Sequence, residues 1–198
     1  MVLQLKNQRS EKSVSIISFG SNLSSDFGVS AELIDGALSA LSRNGLFRVE
    51  VSGFYQTPAF PKESGPDFIN GVVRGETALS AVEVLAVLHG IEAEFGRTRN
   101  KRWEARALDL DLIDFGGQVA PDLDVHTKWR DLPLEDQMKH APEQLILPHP
   151  RVQDRPFVLV PLCDVAPNWV HPITGVSVTE MLARFSGDAL DEIRPYKR

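Results

Sequence analysis

The chain has 198 residues, which suits one domain or one domain with an elaboration. It is 42% hydrophobic and 24% charged, as in an ordinary globular protein, and its net charge of −6 argues against general nucleic-acid binding. The single cysteine, Cys163, excludes an internal disulfide and a cysteine-based zinc site. There is no apolar run near the roughly 18 residues of a transmembrane helix, and the polar N-terminus lacks the core of a secretory signal, so we expect a cytoplasmic location.

The first 115 residues alternate between strand and helix patterns. Runs of β-branched residues and loose two-residue alternation indicate strands, and apolar stripes at helical spacing indicate helices. The predicted elements are, in order, a strand at 13–19, a helix at 30–44 ended by Gly45, strands at 47–56 and 67–75, a helix from a capping box at Ser80 to Phe95, and a strand at 108–115. We expect Glu92 and Glu94 to be solvated, because a helix dipole does not favour acids in the last turn; the alternative for Glu92 is contact with the arginines that follow.

The remaining residues are less regular. Gly116 and Gly117 predict a hairpin turn into a short strand at 118–120. The segment 121–144 loses periodicity and is interpreted as a surface insertion, with no metal-ligand spacing among its histidines. Beyond the apolar run at 145–150, helices are predicted at 157–163 and 178–185.

The order strand, helix, strand, strand, helix, strand is that of a ferredoxin-like fold. It predicts an α+β protein in which helices cover one face of an antiparallel sheet, followed by a C-terminal extension. We expect a single domain over 13–198, preceded by a polar tail at 1–12.

The stretch from Gly96 to Phe115 carries the clearest chemical signal. It packs five cations into ten residues and then alternates leucine with aspartate: the cations are Arg97, Arg99, Lys101, Arg102 and Arg106. On the strand that follows, Asp109 and Asp111 would point the same way, about 6.5 Å apart at the backbone. Two such carboxylates repel unless a positive charge lies between them, which either the neighbouring arginines or a divalent metal could supply. Hard oxygen ligands suit Mg²⁺ bound to phosphates. The pattern therefore indicates a polyphosphate site.

Other residue pairs leave the choice between structure and function open. Gly20 and Asn22 form either a tight turn or a close approach to a ligand, and Phe68 with Asn70 either belong to the core or hold a planar heterocycle. Trp103 either stacks on a ring or covers the core, and His149 either contacts phosphate or is structural. The chain contains no P-loop and no protein-kinase motif set, so a nucleotide would bind by another route.

Four motifs in order resemble those of the 6-hydroxymethyl-7,8-dihydropterin pyrophosphokinases, and they cover most of residues 14–170 apart from the insertion. The first is FGSNL, and the second is S-x-F-Y-x-T-P followed by P-D-F-I-N. The third and fourth are G-R-T-R-x-x-R-W-x-x-R-A-L-D-L-D-L-I-D-F-G and L-P-H-P-R-x-x-x-R-x-F-V-L-x-P-L-x-D-V-A-P. Such a set is far more specific than an analogy of fold.

The resemblance implies transfer of pyrophosphate from ATP to the pterin's hydroxymethyl group, with two Mg²⁺ ions and release of AMP. It implies that Asp109 and Asp111 hold the metals and, with Arg97, Arg99, Arg102 and Arg106, form the catalytic set. The implied ATP-binding residues are Arg97, Arg99, Arg102, Trp103, Arg106, Leu112, His149 and Arg155. The implied pterin-binding residues are Asn22, Thr57, Pro58, Phe60 through its backbone, Phe68, Asn70, Trp103 and Phe157, with Phe68 and Phe157 sandwiching the ring.

The chain departs from the family pattern in two loops. Glu104-Ala105 replaces a Gly-Pro pair in the arginine loop, and Ala59-Phe60 alters the pattern after Thr57-Pro58. The first change alters backbone freedom and adds a negative charge near the phosphates.

The partners we expect are the two small substrates, without nucleic acid or membrane, in a monomer or at most a weak dimer. Two alternatives use the same residues differently. One is another two-metal phosphoryl or nucleotidyl transferase, and the other is a ferredoxin-like RNA-binding or regulatory module.

Overall fold

The computed structural model describes residues 12–22, 30–59, 65–95, 107–137 and 139–197. Its strands are β1 (Ser13–Ser21), β2 (Leu46–Val51), β3 (Tyr55–Thr57), β4 (Phe68–Thr77), β5 (Asp109–Phe115) and β6 (Arg194–Pro195). Its helices are α1 (Ser30–Arg43), α2 (Ala81–Glu94), α3 (Leu123–Arg130), α4 (Leu134–Gln137), α5 (Pro156–Val165), α6 (Val178–Leu182) and α7 (Gly187–Asp191). A 3-10 turn spans Val152–Asp154.

The strands form one antiparallel sheet in the order β5-β1-β4-β3-β6, and β2 pairs with β4 beside β3. The predicted α+β class is confirmed, with helices packed on an antiparallel sheet. The element order follows β-α-β-β-α-β only if β2 and β3 are counted as one strand, and β6 is an addition. The ferredoxin-like order is therefore approximate.

The prediction of one continuous strand over 47–56 is wrong, because Ser52, Gly53 and Phe54 interrupt it. The Oγ atom of Ser52 accepts the Val72 N–H at 2.9 Å, so a side chain replaces a backbone partner of β4. The Gly53 N–H donates to Asp164 of α5 at 2.9 Å. These two bonds turn the chain between β2 and β3 and attach the break to α5.

Helices cover both faces of the sheet. On one face α1 and α2 pack over a core that includes Ile17, Phe19, Leu88, Leu110 and Leu112. On the other, α5 and α6 pack over a second core that includes Ile16, Val72, Ile113, Leu159 and Met181. The expectation of helices on one face holds for α1 and α2 only. The central strands carry apolar side chains on both faces, and each of these sets has to be buried.

The boundaries of α2 follow from its sequence. The Ser80 hydroxyl accepts the Glu83 N–H, and the Glu83 carboxylate accepts the Ser80 N–H, so the predicted capping box is confirmed. The expectation that Glu92 is solvated is wrong, because its side chain is 1% exposed. Glu94, two residues further on, is exposed.

Gly116 and Gly117 adopt positive φ angles of 58° and 70°, as a tight turn after β5 requires. The predicted hairpin strand at 118–120 is nevertheless wrong. Ala120 pairs with Leu147 instead, through two backbone hydrogen bonds of 2.9 and 3.0 Å. The chain thus leaves β5 and enters the 121–144 segment.

That segment contains α3 and the four-residue α4. Most of its described side chains are exposed, but His126 of α3 is completely buried. Among the described helices, none has both the length and the apolar character needed to cross a membrane.

Candidate functional site

Strand β5 separates carboxylates from core residues. Leu110 and Leu112 are 3% and 4% exposed and belong to the core beneath α1 and α2. Asp109 and Asp111 alternate with them and are partly exposed on the opposite face. The predicted alternation is confirmed. A nucleotide could meet Leu112 only through its backbone, because the side chain is in the core.

The strand register puts Asp109 in a row with the amide expected to bind pterin. Asp109 pairs with Gly20 of β1, and Gly20 pairs with Asn70 of β4. Paired residues in a sheet share a face, so Asp109 and Asn70 lie on one surface about 10 Å apart with a glycine between them. A Cβ atom on Gly20 would be 2.7 Å from the Asn70 Oδ1 atom. The missing side chain at Gly20 makes room for Asn70.

Asn70 is fixed by its neighbour on β3. Its Nδ2 atom donates to the Thr57 hydroxyl at 2.7 Å, and both side chains are buried. Phe68 pairs with Thr57 and is half-buried, with its ring 3.8 Å from the same virtual Cβ of Gly20. Pro58, directly after Thr57, is also half-buried. The structure therefore brings Thr57, Phe68 and Asn70 together.

Helix α5 borders this surface. It packs on β4 and β3, and its first turn carries Phe157, which is 36% exposed. Asn22, just after β1, is 5% exposed and donates to the Pro66 carbonyl at 3.2 Å. Asn22 thereby ties the start of β4 to the end of β1, near the predicted pterin residues.

A second group lies beside Asp111. Arg155, between the 3-10 turn and α5, donates from Nη1 to Asp111 Oδ2 at 2.9 Å. His149 is joined to β5, because its N–H donates to the Ile113 carbonyl at 2.8 Å. Burial, then the positive charge of Arg155, lowers the pKa of His149 to about 3, although Asp111 opposes the shift.

His149 is consequently neutral at pH 7. Its Nδ1 atom accepts the Arg151 N–H at 3.1 Å, so the ring proton resides on Nε2. A neutral imidazole of this tautomer contributes a hydrogen-bond donor to a ligand rather than a positive charge.

The donor chemistry of the Asp pair fits magnesium. The described residues contain no cluster of three or more His, Cys, Asp or Glu side chains that could enclose an ion. Two carboxylates with access to solvent match the way Mg²⁺ is commonly held, by one or two carboxylates with phosphate oxygens and water as the other ligands. Asp109 and Asp111 are the residues that would hold it.

Several predicted residues lie outside the described part of the chain. These are Phe60 and the arginine loop with its departure from the family pattern: Arg97, Arg99, Arg102, Trp103, Glu104, Ala105 and Arg106. Their predicted roles stay predictions.

The contacts of two further residues, Glu92 and Asp164, were not predicted from the sequence. Buried Glu92 of α2 accepts the Leu110 N–H at 2.9 Å, between the two aspartates. Its spacing of four from Leu88 places it on the buried helix stripe and was the available signal. Asp164 of α5 accepts from Tyr55 at 3.0 Å, and burial and this bond raise the pKa of Tyr55 to about 12. No sequence pattern indicated that contact.

Comparison with known proteins gives one consistent result. The family model described as 7,8-dihydro-6-hydroxymethylpterin-pyrophosphokinase (HPPK) matches residues 16–167. The chain belongs to this family. A Synechocystis 2-amino-4-hydroxy-6-hydroxymethyldihydropteridine pyrophosphokinase is 34% identical over 91% of this chain and 80% of its own length.

Two longer proteins contain a similar unit. The folic acid synthesis protein fol1 of Schizosaccharomyces pombe is 30% identical over 93% of this chain, which spans 22% of that protein. A crystal structure of Plasmodium falciparum HPPK-DHPS with pteroate has a TM-score of 0.64 over 93% of this chain and 46% of that chain. At 14% identity the structural match supports the fold alone. The chain thus spans less than half of the HPPK-DHPS structures that it matches.

Proposed function

We propose that this HPPK-family chain transfers pyrophosphate from ATP to 6-hydroxymethyl-7,8-dihydropterin in folate synthesis, with Mg²⁺. The carrying observation is the arrangement on one sheet face of Asp109 and Asp111 beside the Thr57–Asn70 pair. A carboxylate pair suited to Mg²⁺ that binds phosphates, next to a buried amide and an aromatic ring, is what joining ATP to a planar heterocycle requires. The family membership supports the same substrates.

The two ends of the site favour different substrates. Asn70 can donate to and accept from a pterin edge, and Phe68 and Phe157 offer aromatic surface on the sheet and on α5. Arg155 and neutral His149 lie beside Asp111 and offer donors to the nucleotide. Asp109 is the carboxylate in the row of Asn70. The pterin would therefore approach from the Asp109 side and ATP from the Asp111 side.

In the reaction, the hydroxymethyl oxygen forms a bond to the β-phosphorus of ATP. The bond from that phosphorus to the oxygen bridging to the α-phosphate breaks, and AMP leaves with the electron pair. Bound Mg²⁺ would neutralise charge on the phosphates, which is the principal electrostatic contribution to phosphoryl transfer. The hydroxyl proton would pass either to Asp109, the carboxylate in the row of Asn70, or to solvent if bound Mg²⁺ lowers the pKa of the hydroxyl.

A binding titration tests the proposal. The protein is titrated with 6-hydroxymethyl-7,8-dihydropterin, alone and with a non-hydrolysable ATP analogue and Mg²⁺. We expect both ligands to bind and nucleotide affinity to fall when the metal is chelated. If the protein does not bind the pterin but binds another acceptor, it is a different phosphoryl transferase and the proposal is wrong. Salt-sensitive RNA binding without nucleotide binding would also contradict the proposal.

The cytoplasmic location stays a prediction.

A further inference from the structure

Helix α3 of the 121–144 segment has three exposed and four half-buried residues, and its remaining residue is completely buried. The helix starts at Asp122, whose Oδ1 atom accepts the Val125 N–H at 2.8 Å. His126, the residue after Val125, is 0% exposed. Burying an imidazole is costly unless it is hydrogen-bonded. What His126 bonds to therefore indicates why a surface helix sends a polar ring inward.

The Nε2 atom of His126 lies 3.0 Å from the Pro148 carbonyl oxygen. A carbonyl only accepts, so the imidazole is the donor and its proton is on Nε2. Pro148 directly precedes His149. The residue before it, Leu147, is held by two backbone hydrogen bonds to Ala120, at the root of the same segment. Two consecutive residues are thus attached to the segment immediately before His149.

His149 itself is attached to strand β5. Its N–H donates to the Ile113 carbonyl of β5 at 2.8 Å, two residues after Asp111. Its side chain lies close enough to Arg155 and Asp111 for both charges to shift its pKa. The backbone around His149 is therefore held on one side by β5, which carries the aspartates, and on the other by the 121–144 segment and Ala120 directly before it.

A second buried imidazole keeps the His126 ring in place. His171 is 0% exposed and packs edge-on against His126, with ring centroids 6.1 Å apart and planes at 76°. Its Nδ1 atom accepts N–H bonds from Ile173 at 3.2 Å and Thr174 at 3.3 Å, so its own proton is also on Nε2. Within the described residues neither His126 Nδ1 nor His171 Nε2 has a hydrogen-bond partner. In the tautomers assigned above, His126 Nδ1 is an acceptor and His171 Nε2 carries a proton. The two neutral rings can therefore pack together without bringing two N–H groups face to face.

We propose that His126 is a positioning residue for the nucleotide end of the site. Through Pro148 it orients His149 beside Arg155 and Asp111, so the 121–144 segment contributes to ATP binding although it contains none of the predicted site residues. This inference rests on the proposed function. It predicts that loss of the His126–Pro148 bond weakens nucleotide binding and leaves pterin binding unchanged, because the Thr57–Asn70 bond joins β3 to β4 and does not involve the segment.

The test compares two amide variants that differ by one methylene. In His126→Gln the amide nitrogen takes the place of Nε2 and reaches Pro148, whereas in His126→Asn it is too short to do so. Val84→Ala, which opens a cavity in the core beneath α2, controls for a general loss of stability. The dissociation constants of a non-hydrolysable ATP analogue with Mg²⁺ and of 6-hydroxymethyl-7,8-dihydropterin are measured, together with the midpoint of thermal unfolding.

We expect His126→Asn to weaken the nucleotide about tenfold and His126→Gln to stay within about threefold of wild type. Pterin affinity should change less than twofold in both, and Val84→Ala should lower the unfolding midpoint without altering either affinity. Equal nucleotide affinity in the Asn and Gln variants, or parallel weakening of both ligands, would overturn the inference. If the unmutated protein binds no nucleotide, the proposed function fails, and the inference fails with it.

A measurement on the unmutated protein removes dependence on the variants' folding. Nitrogen-15 NMR of labelled histidines reports which ring nitrogen is protonated. We expect His126 to be the neutral Nε2–H tautomer at pH 7. Finding the Nδ1–H tautomer would exclude donation from His126 Nε2 to the Pro148 carbonyl and contradict the proposal.

Discussion

Gly20 shows how much of the site depends on a side chain that is not there. It lies between Asp109 and Asn70 in one row of the sheet. The place of its Cβ atom is taken by the amide of Asn70, which is held there by Thr57. A glycine at the end of a strand has many possible reasons, and here the reason is a close side-chain approach rather than its φ angle. The sequence alone left that choice open.

Gly20→Ala should therefore impair the pterin end of the site. The new methyl group would meet Asn70 Oδ1 at 2.7 Å and displace the amide from Thr57. We expect pterin affinity to fall about tenfold and stability to fall by about 1–3 kcal/mol. Isothermal titration and chemical unfolding measure the two effects.

Gly90→Ala is the matched control for that substitution. Gly90 is inside α2, and nothing lies within 4 Å of its virtual Cβ. It should raise helix stability by about 1 kcal/mol and leave pterin binding unaltered. Wild-type pterin affinity in Gly20→Ala would show that the amide is not confined as described.

Asp109 and Asp111 carry the second residue-scale prediction. Replacing either by Asn keeps its shape and removes the charge that would hold Mg²⁺, so turnover should fall at least about a hundredfold. Asp188→Asn, at the first turn of α7, should not change turnover. Initial rates at saturating substrates and unfolding curves check both points. A folded Asp111→Asn protein with normal turnover would exclude the metal role.

At the scale of elements, α2 acts on the strand that bears the aspartates. The buried carboxylate of Glu92 accepts the Leu110 N–H, the peptide group between Asp109 and Asp111. Among the described strands β5 is at the edge of the sheet, so no second described strand lies beside this peptide. The helix thus takes the place of a neighbouring strand. The local dipole argument predicted a solvated glutamate, and tertiary contact overrode it.

Glu92→Ala should destabilise the protein by about 2 kcal/mol, because a buried hydrogen bond is lost and the Leu110 N–H loses this acceptor. Glu92→Gln should lose less, since its amide oxygen can still accept from Leu110. Glu94→Ala is the exposed control and should stay within about 0.5 kcal/mol of wild type. Urea unfolding of the three variants decides. If Glu92→Ala and Glu94→Ala have equal midpoints, the carboxylate does not support β5.

The contact between α3 and the C-terminal segment should make stability depend on pH. Burial, then the nearby His126 and Arg130, lowers the pKa of His171 to about 4. Burial also lowers the pKa of His126, with Arg130 acting in the same direction and Asp131 and the Pro148 carbonyl in the opposite one. Both rings are therefore neutral in the folded protein at pH 7, and acid favours the unfolded chain, whose histidines protonate near pH 6.5.

For His171, the stabilisation is complete above about pH 6.5 and is lost as the pH falls toward about 4. The free energy of unfolding should drop by about 3 kcal/mol over this range from His171 alone. His171→Asn keeps an acceptor for the Ile173 and Thr174 N–H groups but does not titrate, so its pH profile should be flatter. Equal slopes for the variant and the wild type would contradict the assignment.

At the scale of the whole molecule, the sheet divides stability from chemistry. Its face toward α1 and α2 is a continuous apolar core. Its other face is apolar only where α5 and α6 cover it and carries Asp109, Gly20 and Asn70 beyond them. The candidate site is therefore built on strands, with α5 as its wall, and rigid elements position such groups more accurately than loops do.

This division explains what could be predicted. Local patterns indicated α1, α2, β4 and β5 well, because the helices have apolar stripes and the strands have runs of apolar residues, which short stretches of sequence record. The Asp109–Asp111 pair was found for the same reason. The break at Ser52, the burial of Glu92 and the inward position of His126 depend on partners 20, 18 and 22 residues away. No local pattern contains those contacts, and the four family motifs gave no indication of them.

The central claim is that the chain moves a pyrophosphoryl group, and labelled ATP tests it directly. Two samples of ATP, one carrying ³²P in the α-phosphate and one in the γ-phosphate, are incubated with the protein, Mg²⁺ and 6-hydroxymethyl-7,8-dihydropterin. We predict that the γ label moves to a pterin diphosphate while the α label appears in AMP. With Asp111→Asn, labelled AMP should form at least about a hundredfold more slowly. The appearance of ADP with a pterin monophosphate, or transfer of the α label to the pterin, would contradict the account.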